Sequence, residues 1–199
     1  MASGEKRRAV VAITGASGAT IGISLLAILA KNGAEIYCVV SDAAAKIISS
    51  EIDGAADAES ALAMFDSAAV NAVRFFGEDD FLAPPASGSF RFDAMAVAPC
   101  SMKTLGKIAN GIADNLIVRA AEVALKERRR LVVCPRETPL ALTHIRNMET
   151  LCLAGAVILP PALSFYNKPK TVRDAADTVA ARIAQSMGFE QNIIKEWGL

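Results

Sequence analysis

Arg136 and Glu137 stand side by side in "LVVCPRETPLAL", where an apolar run stops and a helix-like segment starts at Pro139. A polymer needs only a polar turn there. A guanidinium beside a carboxylate can instead bind an anion and pass it a proton. Three other segments have similar chemistry after apolar runs. "TGASGATIG" places glycines at 15, 18 and 22 around Ser17. Glycine lets backbone amides approach a phosphate or a ring, and the helix behind it offers a positive N-terminus. The same residues also serve as a tight strand-to-helix turn. The dinucleotide fingerprint GxGxxG is not met, because Ser17 occupies its second glycine. The next run ends in Ser41 and Asp42, and a hydroxyl suits a phosphate better than a ribose diol. In "APCSMKT", Ser101 and Thr104 form either a second anion nest or an ordinary helix cap.

The remaining candidates are more ambiguous. Arg119, Glu122 and Lys126 fall at i, i+3 and i+7 behind Asp114, a plausible cap. They form a solvated salt-bridged face or a stripe facing an anion. Tyr166 sits in the proline-bounded "PPALSFYNKP", where it packs or presents its hydroxyl. Arg182 reads as outward-facing, and His144, the single histidine, as a satisfied helix residue.

The elements that must position these groups follow from patterning. Nearly continuous apolar runs occupy 9–14, 36–40, 73–76, 94–98, 131–134 and 156–159. Strands buried on both faces look like this, as in a parallel sheet. Helical stretches lie between them, at about 19–31, 42–51, 58–68, 102–110, 114–128, 139–154 and 171–188. The alternation predicts an α/β fold: a Rossmann-like open, mainly parallel sheet with helices on both faces, in one domain over 1–199. Ligands of such sheets sit beyond the carboxyl ends of the strands, where the four segments above lie. The irregular loop 76–93 reads as functional or as an oligomer contact.

Composition narrows the class further. Lys plus Arg equal Asp plus Glu at 21 each, which argues against a nucleic-acid partner. Four scattered cysteines without a CxxC predict reduced thiols in a cytoplasmic protein, and one histidine argues against a metal site. The uncharged stretch 9–30 imitates a membrane span, but its glycines and hydroxyls break any apolar helix, so no membrane role is expected.

Together "GASGA", "ASGSF", "APCSMKTL", "KERRRLV", "PRETPL" and "FYN" resemble the UbiX-type flavin prenyltransferases, from about residue 9 to Trp197. The resemblance implies a homo-oligomeric flavoprotein, built from trimers and assembled as a dodecamer, with its site between subunits. It implies transfer of a dimethylallyl group from dimethylallyl phosphate to N5 and C6 of reduced FMN, without a metal. The prenylated FMN would serve a UbiD-type decarboxylase. FMN would be held by Gly15, Ala16, Ser17, Ser41, Ser101, Met102, Lys103, Thr104 and Arg136. The donor would meet Ser89, Arg119, Lys126, Arg136, Glu137, Tyr166, Arg182 and Trp197, with Phe90 beside Ser89 on a closing loop. Catalytic roles would fall to Ser17, Glu51, Lys126 and Glu137. One departure stands out: Ile21 replaces the tyrosine that the family commonly carries before the last glycine of the first loop.

Overall fold

The computed structural model describes residues 6–194. Six parallel strands form one sheet in the order β3-β2-β1-β4-β5-β6. They are β1 (Arg8–Ile13), β2 (Glu35–Val40), β3 (Val73–Gly77), β4 (Ala94–Cys100), β5 (Arg130–Pro135) and β6 (Val157–Ile158). The helices are α1 (Ala19–Lys31), α2 (Asp42–Glu51), α3 (Ala58–Phe65), α4 (Met102–Ala109), α5 (Leu116–Lys126), α6 (Leu142–Leu153) and α7 (Val172–Ser186). All six expected strands and seven expected helices are present.

The continuous apolar runs have a direct cause, since alternate residues of each strand enter two different cores. Val11, Ile36, Ala96 and Val132 face α1, α3 and α7 on one side. Val10, Val39, Met95 and Leu131 face α4 and α5 on the other. Helix α1 is buried around most of its circumference because the sheet and α7 cover it from two sides. That explains the uncharged stretch 9–30; among the described residues no helix is long and apolar enough to cross a membrane. Gly22 is required by this packing, because a Cβ there would lie 2.5 Å from the Ala98 carbonyl oxygen.

Three helix ends differ from expectation. Asn115, not Asp114, caps α5 by accepting from the Val118 N–H at 3.0 Å. Asp114 is taken by Lys107. The helix expected over 58–68 stops at Phe65, because the extended Asp66 accepts from Ala68 N–H and starts a separate 3₁₀ turn over Ser67–Ala72. Pro139 does not open α6. The first turn bonds back to the Ala141 carbonyl, and His144 Nδ1 accepts from the Ala141 N–H at 3.2 Å. His144 is therefore a satisfied helix residue, as expected, and it sits in the first turn.

Cys38, Cys100 and Cys134 are buried free thiols, and Cys152 is exposed. Burial pushes the Cys134 thiol up to about 12, so it is inert as a nucleophile at neutral pH.

Candidate functional site

The loops leaving β2, β1, β4 and β5 are neighbours along the carboxyl edge of the sheet. Strand order reverses between β1 and β4, so the crevice of the fold opens between their loops. Hydrogen bonds stitch these loops into one rim. Ser41 N–H donates to Ile13 O at 3.1 Å, and Arg136 N–H to Cys100 O at 3.0 Å. Between them Thr14, fully buried, donates its hydroxyl to Pro99 O at 2.8 Å and accepts from Ser101 N–H at 2.8 Å. Thr14 thereby sets the spacing between the first loop and the α4 cap. Its signal in the sequence is faint: one hydroxyl ending "VVAIT".

Ser41 caps α2, its Oγ accepting from Ala44 N–H at 3.1 Å. Ser101 caps α4, its Oγ lying 3.3 Å from Thr104 N and 3.0 Å from Thr104 Oγ1. The Met102 and Lys103 amides begin α4, where backbone N–H groups lack intrahelical partners. Two hydroxyls, these amides and the exposed Lys103 make a phosphate-sized donor set, with the exposed Arg136 on the adjoining loop. This set fits the phosphate end of FMN. Gly15 holds the first loop against α2; a Cβ there would lie 2.5 Å from Ala43 Cβ.

The α1 N-terminus is a different matter. The sequence offered its amides to a ligand, but Glu51, at the end of α2, reaches them first. Its carboxylate accepts from Gly18 N–H at 2.9 and 3.1 Å and from Ala19 N–H at 3.0 Å. Glu51 is thus an internal anion on a positive helix end. Beside it lies a cleft of about 470 Å³, with Ser17 and Glu51 at its polar side and Ile21, Leu163, Val172 and Val179 as apolar walls. Ile21 is nearly buried and keeps this wall apolar where a tyrosine would bring a hydroxyl.

Glu78 was not foreseen. Its carboxylate accepts from Asp42 N–H at 2.9 Å and from Asn115 Nδ2 at 2.6 Å. Its carbonyl accepts from Leu116 N–H at 2.7 Å. It fixes the starts of α2 and α5 relative to each other.

Gly15, Ala16, Ser17, Ser41, Glu51, Ser101, Met102, Lys103, Thr104, Arg136 and Glu137 are gathered on or beside the rim. Glu137 is exposed, and its carboxylate accepts from Thr138 N–H at 2.9 Å. The other residues lie elsewhere on the chain. Arg119 donates to Ala86 O at 3.0 Å and pairs with Glu122. Lys126 ends α5, just before β5 begins, and so lies toward the amino end of the sheet, paired with Glu127. Ser89 exchanges a hydrogen bond with Ser87. Tyr166 is exposed in a short 3₁₀ turn, and Arg182 is exposed on α7, bonded to Gln185. Trp197 lies outside the described residues. Within one chain, Lys126 and Ser89 do not meet Arg136 and Glu137.

Helix α6 buries only Leu151. Leu142, Ile145 and Leu153 are exposed on it, and Leu163, Phe165 and Val172 continue the apolar surface along the chain. Among the described residues no group of three or more His, Cys, Asp or Glu is placed to hold a metal ion.

A family model for flavoproteins matches residues 2–187. The chain is 48% identical to the flavin prenyltransferase UbiX of Archaeoglobus fulgidus, over 96% of this chain and 100% of that protein. The crystal structure of AnUbiX in complex with FMN and dimethylallyl pyrophosphate superposes with a TM-score of 0.87 at 40% identity, covering 98% of each chain. The dodecameric FMN-dependent UbiX-like decarboxylase from Escherichia coli O157:H7 superposes with a TM-score of 0.82 at 39% identity, over 92% of this chain and 96% of that one.

Proposed function

The chain belongs to the family of UbiX flavin prenyltransferases, and we propose that it transfers a dimethylallyl group from dimethylallyl phosphate to N5 and C6 of reduced FMN, giving prenylated FMN. The observation that carries this reading is the continuous rim from Ser41 through Thr14 and Ser101 to Arg136 and Glu137. It joins the phosphate cradle at the α4 start to a neighbouring cation and carboxylate, Arg136 and Glu137, on the next loop. A protein that only carried FMN would need no such pair.

The roles of individual residues follow from their chemistry. The α4 start, with Ser101, Thr104 and Lys103, holds the FMN phosphate. Gly15, Ala16, Ser17, Ser41 and Met102 hold the rest of the flavin. Bound there, reduced FMN would supply the electron-rich centre for the five-carbon unit, and the phosphate of the donor would leave toward Arg136. Arg136 stabilises the charge that builds on the departing phosphate. One such donor contributes on the order of 3 kcal/mol, about a hundredfold in rate. Glu137 delivers a proton to that phosphate, and Ser17 relays one near the flavin. Glu51 holds the loop that carries Ser17.

Lys126, Arg119, Ser89, Tyr166 and Arg182 complete the donor site when subunits associate. The exposed apolar surface of α6 and its neighbours supports self-association, as trimers within a dodecamer. The product is passed to a UbiD-type decarboxylase. Three buried reduced thiols support work in the cytoplasm. A cysteine-decarboxylase reading would ask for a catalytic histidine, but His144 Nδ1 is committed to the Ala141 N–H.

Glu137→Gln tests the assignment. FMN affinity is expected to stay within about twofold while single-turnover prenylation slows by about 10²-fold, the range of a general acid. Unchanged turnover would remove Glu137 from the mechanism.

A further inference from the structure

A second polar cleft lies at the opposite end of the sheet. The segments entering β1, β4 and β5 line it, and a six-residue strand puts about 20 Å between it and the rim. It encloses about 460 Å³ among Lys6, Arg7, Arg8, Arg91 and Arg129, against Asp93 and Glu127. Asp93 accepts from the Arg8 backbone N–H at 2.8 Å and keeps its charge, and Glu127 pairs with Lys126 and also feels Arg129, so five cations face two carboxylates. Among the described residues, Lys6, Arg7, Arg91 and Arg129 enter no ion pair. The whole chain balances its charges at 21 and 21, so this concentration of cations is local.

Neutral groups hold two of the guanidinium groups in place. Arg7 donates to Gly188 O at 2.7 Å. Arg129 donates to Phe90 O at 2.6 Å and Gly88 O at 2.7 Å. Carbonyls orient a guanidinium without cancelling its charge, so Arg7 and Arg129 are preorganised for an anion.

We propose that this cleft binds a small oligophosphate, a di- or triphosphate that is either free or esterified. Fork-shaped guanidinium groups match phosphate oxygens in pairs. The aromatic rings nearby are already covered. Arg7 lies 3.9 Å from the Phe189 centroid, and Arg129 lies 4.5 Å from that of Phe92. Neither covered face is open to stack a nucleobase, so recognition stops at the phosphates.

Isothermal titration of the FMN-loaded oligomer tests this, with saturating dimethylallyl phosphate present to occupy the donor site. Tripolyphosphate and ATP are titrated separately. The expected result is one site per chain, with the two affinities within about threefold. Reversing two charges in Lys6→Glu/Arg91→Glu should weaken binding at least about tenfold, and prenylation should be unchanged. Neither residue makes a hydrogen bond among the described residues, so the fold does not depend on them. No binding at millimolar tripolyphosphate, or equal binding by the double variant, would overturn the proposal. ATP binding more than about tenfold tighter than tripolyphosphate would overturn it too, since the base would then be read.

Discussion

Replacing Glu51 by alanine should loosen the start of α1. The Glu51 carboxylate accepts three hydrogen bonds from two amides, and Gly18 at the N-cap position has no side chain to replace it. A lost cap costs about 1 kcal/mol, and a charge on the helix end adds about 0.3–1 kcal/mol. Glu51 is exposed at the end of α2, so solvent screening keeps the total near the low end, about 1–1.5 kcal/mol. For a chain of 199 residues that lowers the melting temperature by about 2–6 °C. Glu51→Gln keeps an acceptor and loses the charge, so it should lose about a third as much. The assay is thermal melting by circular dichroism of the FMN-free protein, at one protomer concentration for all three forms. A Glu51→Ala melt within about 1 °C of the parent would refute the capping argument.

Three further outcomes are expected. Thr14→Val removes a buried hydroxyl with two partners and strands Ser101 N–H, while Pro99 O keeps the Thr14 N–H at 3.2 Å. The loss is about 1–3 kcal/mol in urea unfolding, with weaker FMN binding as the α4 cap shifts; Thr14→Ser should restore most of both. Gly22→Ala drives a methyl into the Ala98 carbonyl and Ile13, costing about 1–3 kcal/mol by the same assay. The third outcome concerns Glu35, whose carboxyl is held below its usual range by the Tyr37 hydroxyl, then by Arg8 and Arg74. A lowered folded value contributes stability that is full above about pH 4.3 and fades as pH falls through the folded value. The melting gap between the parent and Glu35→Gln should therefore shrink on acidification. A gap that stays constant from neutral pH down to about pH 3.5 would contradict this.

The sheet was legible because two cores demand unbroken apolar strands, and Val10 and Val11 each face one of them. Helix starts were less so. Asp114 and Asn115 are both good caps on sequence grounds, and the choice was made by Lys107 and Glu78, neighbours that only the fold supplies. The rim was readable as hydroxyls and glycines after strands. The use Glu51 makes of the α1 amides was not, because it depends on where α2 ends in space. The placing of Lys126 toward the amino end of the sheet follows from α5 running back against the strands, which motif spacing does not encode.

The central claim is the bond made to the flavin. Protein, reduced FMN and dimethylallyl phosphate are incubated without oxygen, with the diphosphate as a second arm, and the flavin is weighed by mass spectrometry. The expected result is a flavin heavier by one five-carbon unit, formed only when the protein is present. Unmodified FMN with both donors would contradict the account.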